Sequence, residues 1–534
     1  MRYCWAVRKS LEPPPTMFLG EVQMSTQVLP AQPFLPSQTI EFARIKRKIS
    51  FEVIALTFII ILCALLRFYH LGAASLWSDE IFSRYYVDLF GLHYVLADGL
   101  SKETNPPTYY LLLRGWISLF GDSEAALRLL SAAISILCAP VIYLLGRDLG
   151  GKSWGLTGAL LFALCPASLY FAQETRVYAL FMLASTVALW AAAVYQRDSR
   201  SVKATAFYLL SATLCLYLHV TGLLLVVACC VAVWLNLLSN GAGTRQARFH
   251  WMALNGIVLL LGLPYFLHVL TASHTGIIDY MPPAGIHQLV YCVSLVVSGM
   301  VTPYPWPAFL LAAALWVTLA VSLWRQPLSR RASATLIGVP CLFITLVLLV
   351  SFRRPILLPR TLVWMVAPLC LIAGKQLLIA GRARYVVLVS LVAAFGTGLF
   401  FQMTRPNSDK EPWRDISREV GPDLEHADLV VLSPVSNPMV LSYYAPRVKN
   451  VRLWDASLRP TIMSAAAERL HIASISEAEI LQAIKAKQNV WVLSHSFDLD
   501  RVNNLRSQVP ATVFREWYCG KVPCAAAAAW QPRP

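Results

Sequence analysis

Eleven apolar runs of roughly membrane-spanning length dominate this chain, and they leave water an unsuitable solvent for it. A helix needs roughly 20 apolar residues to cross the hydrocarbon core of a bilayer, and about 17 still suffice. Such runs occupy about 51–69, 125–146, 154–172, 178–195, 205–219, 222–239, 251–270, 308–324, 335–351, 361–379 and 385–402. Two further stretches, about 108–120 and 286–302, are marginal, and counting either one alone would invert everything after it. Composition agrees with a bilayer protein. Of 534 residues 57% are hydrophobic and only 14% charged, and the mean hydropathy is +0.56, well outside the soluble globular range.

Charge decides the threading. The net charge of +16 would suit a nucleic acid if the basic residues formed a continuous stripe. They sit instead in small groups between apolar runs, which is the pattern of cytoplasmic loops, so no nucleic-acid partner is expected. With the N-terminus cytoplasmic and the marginal stretches not crossing, every inner loop is basic: Arg147 and Lys152, then Arg197, Arg200 and Lys203, then Arg245 and Arg248, then Arg325, Arg330 and Arg331, then Arg382 and Arg384. The outer segment 271–307 has no Lys or Arg. An odd number of spans puts everything after the last one outside the cytoplasm.

Three regions follow: a disordered, Pro-rich cytoplasmic tail over 1–50 that ends in Arg44, Lys46, Arg47 and Lys48, a membrane domain over 51–402, and an extracytoplasmic α/β domain over 403–534. The basic cluster and first run resemble a secretory signal, but the many later runs favour an uncleaved anchor. In the last region, Asp428 to Pro434 and Asn489 to Ser494 are short β-rich runs, and Ser476 to Lys487 is an amphipathic helix starting at a serine cap. Ten of the twelve cysteines lie in the tail or in apolar segments and read as small buried hydrophobes. Cys519 and Cys524 are the exceptions, either a disulfide in an oxidising compartment or two free thiols.

Chemistry-bearing residues gather at the outer ends of the runs. Asp79 and Glu80 follow the first run in Ser75-Leu-Trp-Ser-Asp-Glu-Ile-Phe-Ser83, beside the interfacial Trp77. A carboxylate there suits a general base that deprotonates an acceptor hydroxyl while a phosphate leaves; the alternative is an acidic first turn of a surface helix. Arg353, Arg354 and Arg360 fall at an outer edge where positive-inside bias would not put them. Guanidinium forks match phosphate oxygens, and the alternative is snorkelling to headgroups. Arg176 lies between Glu174 and Tyr178, where pairing within the loop is the plain reading. His219 sits at a tight outer hairpin, Asn105-Pro106-Pro107 is a stiff helix entry, and Lys410 to Arg414 begins the last region and is expected to dock it to the membrane surface.

In order and spacing, Leu76-Trp-Ser-Asp-Glu80, Asn105-Pro-Pro-Thr-Tyr-Tyr110, Phe120-Gly-Asp-Ser-Glu124 to Arg128 and Gln173-Glu-Thr-Arg-Val-Tyr178 resemble the multi-span glycosyltransferases of the GT-C class. The nearest resemblance is to family 39, the protein mannosyltransferase and aminoarabinose transferase superfamily; Arg360 and Lys410-Glu-Pro-Trp-Arg414 extend it. The resemblance implies an all-α polytopic transmembrane bundle of about 11 to 13 helices, with interfacial helices in the first outer loop and a small C-terminal α/β domain outside. It implies a polyprenyl-phosphate sugar as donor, a lipid, glycan or protein as acceptor, an inverting displacement, and a multi-pass protein of a bacterial inner membrane. On this basis Asp79 is the base and Glu80 orients it or the acceptor. Arg176 and Arg360, with Arg353 and Arg354, serve the donor phosphate, and Trp77, Asn105, Tyr178 and His219 bind substrate. Relatives carry His or Lys where this chain has Asn105, so no cationic role carries over to it. No cofactor is implied, although paired carboxylates can hold a divalent ion if further oxygen ligands join them. The rival reading, a transporter or flippase, would show inverted repeats and mid-membrane charges, and the chain shows few of these.

Overall fold

The computed structural model describes residues 50–96, 103, 105–239, 244–271, 285–299, 305–379, 381–405, 410–433, 438–454, 462–495, 498–519 and 522–531. The tail over 1–49, with its basic cluster, and residues 272–284 and 300–304 of the expected outer segment lie outside them. The described residues form one compact unit.

Each of the eleven apolar runs coincides with helix. Among the described residues seven helices are long and apolar enough to cross a bilayer unaided: α1 (Phe51–Phe68), α5 (Glu124–Gly150), α8 (Tyr178–Arg197), α10 (Gly222–Ser239), α11 (Arg245–Thr271), α14 (Arg330–Ser351) and α16 (Ala383–Thr404). An eighth run is broken into α6 (Lys152–Leu164) and α7 (Pro166–Ala172), bent by 61°. Shorter apolar helices are α9 (Val202–Leu216), α12 (Ile286–Ser298), α13 (Pro305–Arg325) and α15 (Val366–Ile379), the last entered through two 3₁₀ turns over 359–365. This is an integral, multi-pass membrane architecture.

The bilayer is legible in the outward faces. Along α1, Ile59, Cys63 and Arg67 at four-residue spacing are buried, whereas Phe51, Ile54, Phe58, Ile61 and Leu65 are exposed. Such a stripe would be an aggregation hazard in water and is a solvated surface in lipid. Between helices, packing relies on small residues rather than on apolar burial. A Cβ on Gly155 of α6 would stand 2.3 Å from the Tyr143 carbonyl of α5, and one on Gly146 would stand 2.7 Å from the Cα of Gly155.

The bend between α6 and α7 has a local cause. Pro166 has no N–H to give to the Phe162 carbonyl, and Ser168 Oγ donates to that carbonyl at 2.7 Å instead. Arg67, buried in the bundle without a carboxylate, donates to Ser168 Oγ (3.0 Å), Ser135 Oγ (2.8 Å) and the Cys63 and Ala163 carbonyls (both 3.4 Å).

Between α1 and α5 lie α2 (Ser78–Phe90), α3 (Leu92–Leu96) and α4 (Thr108–Phe120). The marginal 108–120 stretch is α4, and its 13 residues rise only about 20 Å, short of a hydrocarbon core. Tyr109 and Trp116 tie it to α5 by hydrogen bonds to Ser131 Oγ (3.0 Å) and the Ala126 carbonyl (2.8 Å).

After α16 the chain builds a six-stranded sheet in the order β3-β2-β1-β4-β6-β5. Its strands are β1 (Leu429–Leu432), β2 (Val451–Trp454), β3 (Ser474–Ile475), β4 (Val490–His495), β5 (Val513–Cys519) and β6 (Val522–Trp530). The first four pair in parallel, and β4, β6 and β5 pair antiparallel. The two expected β-rich runs are the neighbours β1 and β4, and the expected helix is Glu477–Lys485, with Ser476 Oγ accepting the Glu479 N–H at its start. Cys519 and Cys524 are joined in a disulfide across the β5–β6 hairpin.

Candidate active site

The loop that follows α1 is set by one buried arginine. Arg128, in the second turn of α5, donates to the carbonyls of Leu71 (3.3 Å), Ala74 (2.7 Å) and Ser75 (2.8 Å) and to both oxygens of Glu80 (2.9 and 2.7 Å). Glu80 also accepts the N–H groups of Trp77 (3.4 Å) and Thr175 (2.9 Å), so the first loop, α2, α5 and the 173–177 loop meet on one carboxylate. The pair is sealed, with the side chains of Arg128 and Glu80 1% and 0% exposed. Burial alone would push the Glu80 carboxyl up, but Arg128 above all, then Lys410 and the Thr175 N–H, bring it down to about 2. Glu80 thus caps α2 and organises its surroundings from within.

Asp79, one residue earlier, faces the other way. Its side chain is 32% exposed, and Oδ2 lies 3.4 Å from Arg360 Nη1 and 3.7 Å from Arg176 Nη2. Arg176 also donates to the Asp79 carbonyl and to Ser83 Oγ, both at 3.3 Å. Its Nε is buried with no hydrogen-bond partner among the described residues. Three chain segments remote in sequence, the start of α2, the 173–177 loop and the 3₁₀ turn before α15, therefore bring a carboxylate and two guanidinium groups to one end of the bundle.

A cavity of about 200 Å³ opens beside them. Trp77, Tyr170, Phe171 and Tyr178 give it aromatic walls, and Arg360, Glu174 and Lys410 supply its charge. The expected pairing of Glu174 with Arg176 inside their loop does not occur. Glu174 Oε1 instead lies 3.3 Å from Lys410 Nζ, and Arg176 turns to Asp79. Burial pushes the Glu174 carboxyl up, against the opposing pull of Lys410.

His219 is buried near the same end, stacked on Phe181 at 5.1 Å between ring centroids. Its Nδ1 accepts the Thr221 N–H (3.3 Å) and lies 2.8 Å from Thr221 Oγ1. Burial, then Arg360 and Arg176, drive its pKa down to about 3, so the ring is neutral. Asn105 is buried too, and its N–H and Nδ2 both donate to Glu103 Oε1 (3.2 and 3.3 Å). Arg353 and Arg354 are exposed and do not join the cavity wall.

Sequence reasoning missed Glu103, Lys410 as a cavity residue, and Arg128. Glu103 takes a hydrogen bond from the Tyr110 hydroxyl (3.1 Å), and burial raises its carboxyl pKa in spite of Arg176. The only available signal for Lys410 was its place in the Lys-Glu-Pro-Trp-Arg segment. That segment docks on the protein rather than on the membrane surface. Trp413 Nε1 donates to Ser78 Oγ (3.2 Å), Arg414 pairs with Glu124 and donates to the Gly72 and Ala73 carbonyls (both 3.1 Å), and Glu411 Oε2 accepts the Ser78 N–H (3.3 Å). Among the described residues no group of three or more His, Cys, Asp or Glu is placed to hold a metal ion.

This arrangement has relatives. Residues 104–268 match the family model described as dolichyl-phosphate-mannose-protein mannosyltransferase. Among solved structures, ArnT from Cupriavidus metallidurans in the apo state superposes with a TM-score of 0.59 at 13% identity, covering 89% of this chain and 97% of that one. The fold is that of a GT-C membrane glycosyltransferase. The same ArnT bound to undecaprenyl phosphate gives a TM-score of 0.58 at 12% identity with the same coverage. The apo oligosaccharyltransferase of Archaeoglobus fulgidus, at 0.49 and 12% identity, covers 84% of this chain and 70% of that one. No curated protein matches by sequence. The GT-C likeness embraces both the helical bundle and the C-terminal sheet region, since nearly all of the ArnT chain is covered.

Proposed function

We propose that the protein transfers a sugar from a polyprenyl-phosphate donor to an acceptor hydroxyl on the extracytoplasmic face, with inversion at the anomeric carbon. The observation that carries this reading is the Asp79 carboxylate held between Arg176 and Arg360, the latter a wall residue of the aromatic cavity. An incoming phosphate competes with Asp79 for both guanidinium groups, which are suited to its oxygens. Asp79 is then free to take the acceptor's proton as the acceptor oxygen bonds to the anomeric carbon and the bond from that carbon to the phosphate oxygen breaks. The electron pair leaves with the polyprenyl phosphate, whose growing charge the arginines stabilise. Tyr178 lines the cavity, and the neutral His219 lies beside it, their ring centroids 6.1 Å apart. Two fixed cations thereby serve the leaving group.

The likeness of fold to an ArnT structure bound to undecaprenyl phosphate supports a lipid-phosphate donor, as does the family model's description. The basic inner loops and the Cys519–Cys524 disulfide support placing the site and the sheet region outside the cytoplasm; a bacterial inner membrane is carried over from the family resemblance. Glu80 serves this reaction indirectly, by aiming the first turn of α2. Arg353 and Arg354, exposed on the loop before Arg360, are read as headgroup contacts.

The test is sugar transfer from a panel of radiolabelled polyprenyl-phosphate sugars by membranes containing the protein or Asp79→Asn. General-base catalysis is worth roughly 10²–10⁴ in rate, so the variant should lose that much with donor binding retained. Turnover near the parent's would remove Asp79 from the role, and no transfer by the parent from any donor would remove the reaction.

A further inference from the structure

The cavity beside Asp79 already contains a cation of the chain's own. Lys410 Nζ lies 3.3 Å from Glu174 Oε1, 4.5 Å from the Tyr170 ring centroid and 5.3 Å from that of Trp77. Both charged side chains are only 3% exposed. A carboxylate with two aromatic faces is the arrangement that captures an ammonium group, and here a lysine fills it. Among the described residues Glu174 is the sole acid on the cavity wall, and besides Lys410 the charged wall residue is Arg360, which is positive. A ligand bearing a second ammonium would find one carboxylate oxygen and both ring faces taken, and would be desolvated beside two cations, Lys410 and Arg360.

The size of the cavity limits what else enters. At about 200 Å³ it has room for a group the size of one monosaccharide ring. Its aromatic walls suit the apolar faces of a pyranose. The Trp77 Nε1 donor and the second oxygen of Glu174, both buried without a partner among the described residues, belong to side chains of that wall.

We infer that this cavity receives the donor's sugar and that Lys410 restricts it to uncharged sugars, excluding those with a protonated amine. The inference rests on the glycosyl-transfer reading and adds to it the class of sugar and the residue that selects it.

Donor binding and transfer by the full-length protein in lipid nanodiscs test this with three probes: a polyprenyl-phosphate hexose, a polyprenyl-phosphate 4-amino-4-deoxypentose, and the N-formyl form of the latter, which has lost the charge. The parent should prefer the hexose and the formylated sugar to the amine by at least about tenfold, the scale of one desolvated cation interaction. Lys410→Met, which vacates the cage, should shift the preference toward the amine by about as much, and Lys410→Arg should keep it. Equal binding of the amine and its formyl form by the parent overturns the inference, as does an unchanged ratio in folded Lys410→Met. Should that variant not fold, the parent's ratio of amine to formyl form decides alone. Transfer of hexose and amine alike defeats the sugar selection and leaves glycosyl transfer standing, whereas no binding or transfer of any probe defeats both.

Discussion

Asp79 and Glu80 are chemically alike and adjacent, yet a helix turns about 100° per residue, and that turn sends one carboxylate toward Arg176 and Arg360 and the other into Arg128. Glu80 is therefore a group whose loss should be felt in stability. Glu80→Gln leaves the buried Arg128 without its counter-charge, and breaking a buried pair costs about 3–5 kcal/mol. A thermal melt in detergent should show a large drop in Tm for Glu80→Gln and little change for Asp79→Asn; equal Tm values would mean that Glu80 is not the keystone of this loop. The pH dependence follows in sign. Its folded pKa of about 2 lies below the unfolded value of roughly 4.3, so its stabilisation is complete above that value and is lost as pH falls from there toward 2. Acid should accordingly destabilise the parent more than the Gln variant over that window. The motif around Asp79 was readable in the sequence as an acid pair at an outer membrane edge, suited to a general base or to the first turn of a surface helix. The division of labour was not, because Arg128 lies 48 residues away and nothing in local spacing marks it as Glu80's partner.

Helices and strands differ in how plainly the chain announced them. Apolar runs such as Val53 to Leu66 and Gly222 to Ser239 became α1 and α10 nearly residue for residue, since hydrocarbon leaves the backbone no other way to satisfy itself. The strand Val522–Trp530 is the opposite case. Its core, Ala525 to Ala529, has the strongest helix propensity available, and it is a strand because β4 and β5 pair on either side of it and bury it. The docking of these elements on the site was equally hidden. His495, the last residue of β4, meets Glu411 Oε1 at 2.7 Å, and the other Glu411 oxygen accepts the N–H of Ser78 beside Asp79. The sheet thus reaches the start of α2 through one carboxylate. Misplacing a catalytic group by about 1 Å costs up to 10² in rate, so Glu411→Ala should lower kcat by roughly that order while leaving the KM for the acceptor within about twofold, and His495→Gln, which keeps a donor near Glu411, should retain more activity than His495→Ala. A KM effect without a kcat effect would assign the sheet to acceptor binding instead.

For the whole molecule, the site, the disulfide and the sidedness of the bundle are one question. The first outer loop, the 173–177 loop, the turn before α15 and the segment at 410–414 touch one another, so they share one side of the membrane whichever side that is. A crossing by α4 alone would separate Asp79 from Arg176, and the ion pair between them argues against it as firmly as the length of α4 does. On the proposed threading the basic loops are cytoplasmic and that shared side is outside, where a Cys519–Cys524 bridge suits an oxidising compartment. Two single-cysteine reporters distinguish the outcomes: Ser507→Cys, exposed on the helix Leu499–Gln508, and Ser199→Cys in the loop between α8 and α9. In intact spheroplasts a membrane-impermeant maleimide should label the first and spare the second until the membrane is opened. Labelling of Ser199→Cys alone would put the cavity in the cytoplasm, where the positive-inside rule would fail for every loop at once.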